Sequence, residues 1–113
     1  MLTIDDLKTY GADTDTGLAR CVGNEALYLR LVKSVCDDPC FDKLTEAVET
    51  GALKEGFEAA HSLKGVLGNL SLTPIYDKAV EITEHLRNET EMDYKPLVGE
   101  LNSLRNDLKS LCE

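Results

Sequence analysis

Residues 53–70 read LKEGFEAAHSLKGVLGNL. On a helical wheel of about 100° per residue, its apolar side chains fall in one sector, roughly 140° to 240° away from His61. The members of this sector are Ala59, Leu63, Val66, Leu67 and Leu70. The spacing predicts an amphipathic helix that buries this face and places His61 in the middle of the opposite, exposed face.

Similar apolar stripes recur in the segments on both sides, and capping residues, glycines and prolines separate them. Thr3 and Asp6 match a weak capping box that starts a short helix ending at Gly11. A second short segment covers residues 15–22. Longer helices are predicted from Asn24 to about Cys36, from Asp38-Pro39 to Gly51, from Thr73-Pro74 to the polar loop at residues 88–93, and from near Pro96 to Leu111.

Each long helix carries a single apolar stripe, whereas signals for β-strands and hairpin turns are nearly absent. Each stripe must therefore pack against other helices, and short connections favour antiparallel neighbours. The predicted fold is all-α, an up-and-down antiparallel four-helix bundle with short extra N-terminal helices. We expect one domain over residues 1–113, with the short helices in residues 1–22 and the bundle in about residues 24–112.

The composition excludes several classes of function. The chain has 113 residues with 12 Lys and Arg against 21 Asp and Glu, which gives a formal net charge of −9. Because an acidic surface repels phosphate backbones and anionic lipids, nucleic-acid and membrane binding are disfavoured. No run approaches the ~20 apolar residues of a membrane span. The N-terminus also lacks the basic and apolar regions of a signal peptide.

These features predict a cytoplasmic protein, in which the four cysteines remain thiols. Cys36 and Cys40 form one close pair, but a zinc site usually requires a second pair. We therefore expect the cysteines to be small buried or half-buried side chains and not metal ligands.

Two glycines lie on the exposed side of the helix, close to His61. A glycine inside a helix costs roughly 1 kcal/mol relative to alanine, and nothing in the expected core requires small residues at Gly65 or Gly68. We therefore expect a large partner to approach the helix backbone beside His61. Gly56 lies on the core side, where close helix packing accounts for it.

An exposed histidine with a nearby lysine favours nucleophilic chemistry. A neutral imidazole nitrogen can attack a phosphoryl group and carry it as phosphohistidine, while Lys64 offsets the charge of the phosphoryl oxygens. A metal site would need a second ligand near His61, and His85 is predicted at the surface of another helix. A hydrolase would need a pocket, which a convex surface does not offer. No cofactor is predicted, and the rest of the active site must come from a partner.

Residues 60–65, Ala-His-Ser-Leu-Lys-Gly, together with Gly68, resemble the A-H-x-L-K-G-x-x-G signature of histidine-containing phosphotransfer (HPt) domains. Residues 22–28, VGNEALY, resemble the start of a helix in the same family, and residues 79–81 also fit. The resemblance covers roughly residues 13–112. The sequence departs from the family pattern at Ser71, where many members have glycine or another small residue, but serine is also small.

The resemblance implies that His61 accepts a phosphoryl group from the aspartyl phosphate of a receiver domain and passes it to another receiver. Lys64 would help hold the phosphoryl oxygens, and Gly65 and Gly68 would admit the receiver, which supplies Mg²⁺. The protein would be a phosphocarrier without kinase activity of its own. Its partners would be response-regulator receiver domains or a hybrid histidine kinase, and we expect a monomer.

Two further residues have open roles near His61. Phe57 lies one turn earlier and either forms an apolar rim for the receiver, together with Leu72, or is covered by the N-terminal segment, which we slightly favour. Asn69 lies near Ser62 on the wheel, where both could form hydrogen bonds around the phosphoimidazole or simply be solvated.

Two other functions fit the same residues. His61 could instead be phosphorylated directly from ATP, in the substrate domain of a chemotaxis-type histidine kinase. The bundle could also bind a receiver as an adaptor that is never phosphorylated. A cofactor-binding dimer is less compatible, because the inward stripes are aliphatic. The limits of the chain at Met1 and Glu113 favour a stand-alone protein over an excised domain.

Overall fold

A computed structural model describes residues 1–113 as seven α-helices without any strand. The helices are α1 (Ile4–Tyr10), α2 (Thr14–Arg20), α3 (Glu25–Val35), α4 (Cys40–Thr50), α5 (Leu53–Asn69), α6 (Thr73–Arg87) and α7 (Lys95–Leu111). The predicted all-α fold is confirmed.

The helix starts follow the capping residues with two corrections. The capping box is confirmed, because Thr3 accepts a hydrogen bond from the Asp6 backbone and Asp6 accepts one from the Thr3 backbone. Asn24 caps α3 as predicted. Helix α4, however, begins one residue after Pro39, where the Asp38 carboxylate accepts from the Cys40 N–H at 2.8 Å. Helix α6 includes Thr73, whose side chain therefore makes no capping bond.

Helices α4 to α7 form a closed ring of four. Helix α5 contacts α4 and α6, and α7 contacts α6 and α4. The connections at residues 51–52 and 70–72 are so short that consecutive helices run antiparallel. Helix α3 lies inside the predicted limits of the bundle, but it packs on this ring through Tyr28, Val32 and Val35 instead of closing it.

One continuous core joins the ring to the N-terminal helices, from Leu2 to Leu108. It is mostly aliphatic, as each predicted stripe requires. Two of the four free cysteines, Cys21 and Cys36, are buried in it, and the other two are half-buried, which confirms their predicted burial. None of the helices has both the length and the apolar character of a membrane span.

Tyr28 connects the N-terminal helices to the end of α5. Its side chain is fully buried, and its hydroxyl donates a hydrogen bond of 2.7 Å to the carbonyl oxygen of Leu70. The phenol ring of Tyr28 lies directly against α2, since a Cβ added at Gly17 would stand 2.6 Å from this phenol ring. Tyr28 thus holds three helices in a fixed arrangement behind the exposed face of α5.

Replacing Tyr28 with Phe is expected to destabilise the protein by about 1–3 kcal/mol, because the Leu70 carbonyl loses its buried donor. Burial raises the pKa of Tyr28 from 10.0 to about 12. The neutral phenol therefore stabilises the folded state below pH 10, and this stabilisation is lost as the pH rises towards 12. Denaturant unfolding of the variant should show a shallower alkaline decline than the wild type. An equally steep decline would contradict the role of Tyr28.

Candidate functional site

His61 lies near the middle of α5 with an exposed side chain. The neighbouring side chains of Ala60 and Leu63 are fully buried, because α4 and α6 pack on the other faces of α5. The predicted position of His61, opposite the core, is confirmed. The imidazole is therefore available to a partner while its helix is held on two sides.

Gly65 leaves the helix surface open one turn after His61. It is exposed, and a Cβ added there would meet no atom within 4 Å. No packing contact therefore requires a glycine at this position, as the wheel predicts. The missing side chain instead clears space over the α5 backbone.

Gly68 has a different environment, and the expectation that packing makes no demand there is wrong. The residue is half-buried, and a Cβ added to it would stand 2.8 Å from Cε1 of Tyr76 on α6. Its carbonyl oxygen accepts a hydrogen bond from the Arg20 guanidinium of α2. The wheel misses these contacts because it describes α5 alone, whereas the short connection brings the start of α6 alongside this turn.

Replacing Gly68 with Ala is expected to destabilise the protein by about 1 kcal/mol. The gain in helix propensity is offset by overpacking against Tyr76, which typically costs 1–3 kcal/mol. Unfolding by denaturant measures the change, and Gly65→Ala is the matched control, because there the same methyl group enters open space. In a double-mutant cycle with Tyr76→Ala, the penalty should disappear. Equal stabilisation by both alanines would contradict the assignment.

An open groove of about 500 Å³ runs beside Gly65 and corrects the expectation of a purely convex surface. Helices α2, α5 and α6 line it mainly with polar and charged side chains. The lining side chains include Asp13, Arg20, Lys64, Asn69, Tyr76 and Asp77. His61 is not among the lining residues, so the groove adjoins the histidine and does not enclose it.

Lys64 lies on the same half of α5 as His61. Its side chain is half-buried and lines the groove. None of the ion pairs in the protein involves Lys64. Its ammonium group therefore has no carboxylate partner within the protein and can respond to an added negative charge.

Phe57 is half-buried and lies one helical turn before His61. Its ring stacks on the imidazole, with 5.7 Å between centroids and 26° between planes. The Arg87 guanidinium, at the end of α6, lies 5.6 Å from the phenyl centroid. The favoured expectation of a cover by the N-terminal segment is therefore wrong. Leu72 cannot extend a rim, because α5 ends at Asn69 and Leu72 is fully buried.

The remaining candidates are less closely associated with His61. Asn69 and Ser62 are both exposed, and Asn69 lines the groove. His85, predicted at the surface, is half-buried on α6. No cluster of three or more His, Cys, Asp and Glu side chains is arranged to hold a metal ion.

Sequence patterns did not indicate Arg20, Tyr76 or Arg87, which lie on other helices and reach α5 only in the folded protein. No local signal marks them, since each depends on how two helices pack. The site is thus a histidine on an open helix face, bordered by an aromatic ring on one side and a charged groove on the other.

Comparison with protein families gives one match. Residues 38–112 match the family model described as Hpt domain. The matched region contains α4 to α7, and therefore the whole ring and the candidate site. No curated protein and no solved structure matches the chain.

Proposed function

The chain belongs to the Hpt domain family, whose members are histidine phosphotransfer carriers in phosphorelays, and we propose that His61 is the residue that carries the phosphoryl group. The observation that carries this proposal is the exposed imidazole on α5 with an open backbone at Gly65 one turn later. An imidazole in this position can be reached by an active site on another protein.

The proposed reaction exchanges one phosphoryl bond for another. The unprotonated imidazole nitrogen attacks the phosphorus of an aspartyl phosphate on a receiver domain. The new P–N bond forms as the P–O bond to the aspartate breaks, and the aspartate leaves as a carboxylate. The other ring nitrogen keeps its proton. Transfer to a second receiver is the same exchange in reverse, so the protein acts as a carrier without kinase activity of its own.

Lys64 is proposed to compensate the charge of the phosphoryl group. The protein already carries a formal net charge of −9, and the phosphoryl group adds more negative charge. Because Lys64 has no ion-pair partner, it can approach the phosphoryl oxygens without first breaking an internal contact. The receiver supplies Mg²⁺ and its acidic pocket, and the carrier needs no cofactor.

The docking surface is proposed to include the α5 backbone at Gly65 and Gly68 and the side chain of Asn69. The groove beside Gly65 leaves room for receiver or hybrid-kinase elements at this face. The protein is proposed to act as a monomer, because the ring of α4 to α7 is complete within one chain. The cytoplasm remains the predicted compartment, in agreement with four free thiols.

The test is phosphoryl transfer from a labelled receiver in the presence of Mg²⁺. The protein should acquire label that is labile in acid and stable in base, as a phosphoramidate bond requires. Trypsin cleaves after Lys54 and Lys64, so the label should map to residues 55–64, which contain His61. His85 lies in the separate peptide of residues 79–87. Label in that peptide, or acid-stable label, would refute the proposal. Receiver binding without any label would support an adaptor.

A further inference from the structure

A stack of three side chains extends from His61 to the end of α6. The phenyl ring of Phe57 stacks on the imidazole, and the Arg87 guanidinium lies over the phenyl ring. Arg87 is also held by Glu84, at 3.4 Å between Nη1 and Oε1. The three groups therefore connect the exposed histidine to a second helix of the ring.

The stack restricts an otherwise free side chain. An exposed histidine samples several rotamers, which differ in where the ring nitrogens point. Stacking of an aromatic pair favours the paired geometry by about 2- to 10-fold beyond the effect of the area that it buries. That contribution is enough to favour one imidazole orientation over its alternatives. Phosphoryl transfer depends on such orientation, because attacking and leaving atoms must be in line.

The location of Phe57 favours an orienting role over simple core packing. A core residue would bury the whole ring, whereas Phe57 remains half-buried and borders a shallow cleft between α5 and α6. The imidazole and the guanidinium also cover part of the phenyl ring, which leaves less of the phenyl surface for a docking partner.

We infer that Phe57 is a positioning residue that holds the His61 imidazole in line for phosphoryl transfer, and that Arg87 holds Phe57 in place. The inference rests on the proposed function of His61. It adds a requirement for an aromatic ring four residues before the histidine, with a cation from α6 over that ring.

The first experiment measures the ring orientation without any partner. Phe57→Leu keeps an apolar side chain but removes the aromatic plane, whereas Phe57→Tyr keeps the plane. In proton–carbon NMR spectra, the imidazole protons of His61 should lose their ring-current shift in Phe57→Leu and retain it in Phe57→Tyr. His85 serves as the internal control, because it should not shift in either variant. Unchanged His61 signals in Phe57→Leu would overturn the inference.

The second experiment measures transfer from a phosphorylated receiver to the same variants. We expect kcat to fall about 2- to 10-fold in Phe57→Leu, as the stacking contribution predicts, with little change in KM. Phe57→Tyr should recover the wild-type rate, and Arg87→Met should show a smaller loss. A rise in KM with unchanged kcat would overturn positioning and assign Phe57 to docking.

The two proposals fail in distinguishable ways. If the wild-type protein accepts no phosphoryl group on His61, the proposed function is wrong and the positioning role falls with it. If the wild type is labelled and Phe57→Leu is labelled equally fast, only the positioning role is wrong.

Discussion

Replacing His61 with Gln is expected to reduce phosphoryl transfer from a receiver to background. The glutamine amide nitrogen is not a nucleophile, so no P–N bond can form, although the side chain is similar in size and remains exposed. Substitution at an exposed helix position usually changes stability by less than about 0.5 kcal/mol. Label incorporated into the protein on gels measures phosphoryl transfer, and denaturant unfolding curves measure the change in stability.

His85→Gln is the matched control, since it removes the second histidine of the chain. It should accept label at the wild-type rate. His61→Gln should also still bind the receiver, because Gly65 and the adjoining groove are unchanged. Equal labelling of His61→Gln and wild type would show that another residue is the acceptor.

Apart from the starts of α4 and α6, sequence patterns predicted those features that depend on a single helix. The capping residues Thr3 and Asn24 fix the starts of α1 and α3, because their hydrogen bonds are local. The exposure of His61 and the open space at Gly65 follow from the periodicity of α5 alone. The match over residues 38–112 confirms the family that the motif suggested.

The incorrect expectations at Gly68 and Phe57 concern contacts between helices. Gly68 looked free of packing constraints on the wheel, but Tyr76 reaches it from α6. Phe57 looked accessible to the N-terminal segment, but Arg87 reaches it from the other end of α6. A helical wheel places residues on a face without showing which neighbouring helix covers that face. Both corrections therefore require the folded arrangement of α5 and α6.

Lys64 is one of the cations of this acidic protein that form no ion pair. Lys78 lies 3.0 Å from Glu81 and 2.6 Å from Glu100, and Lys109 lies 3.1 Å from Asp37. These cations are committed to carboxylates of the protein itself. Lys64, beside His61, is not, so an added phosphoryl group competes with no internal partner. The excess of acidic residues thus makes the location of each unpaired cation important.

Replacing Gly65 with Leu is expected to block transfer from the receiver while stabilising the fold. A side chain at this position enters open space, and leucine gains up to about 1 kcal/mol in helix propensity over glycine. The same side chain would displace a docked receiver from the α5 backbone. Because a displacement of about 1 Å can cost 10²-fold in rate, we expect transfer to fall by about 100-fold or more. Stopped-flow or quenched transfer assays measure the rate.

Gly99→Leu provides the matched control for this prediction. Gly99 also lies within a helix, and a Cβ added there would also meet no atom within 4 Å. Its helix, α7, lies across the ring from α5, because it contacts α6 and α4. Gly99→Leu should therefore gain similar stability and transfer at the wild-type rate.

A small donor such as phosphoramidate needs no docking surface and should still label Gly65→Leu on His61. If Gly65→Leu folds stably and accepts phosphoryl groups from the receiver at the normal rate, the receiver does not approach α5 at Gly65. If Gly65→Leu fails to fold while Gly99→Leu folds, the glycine is structural.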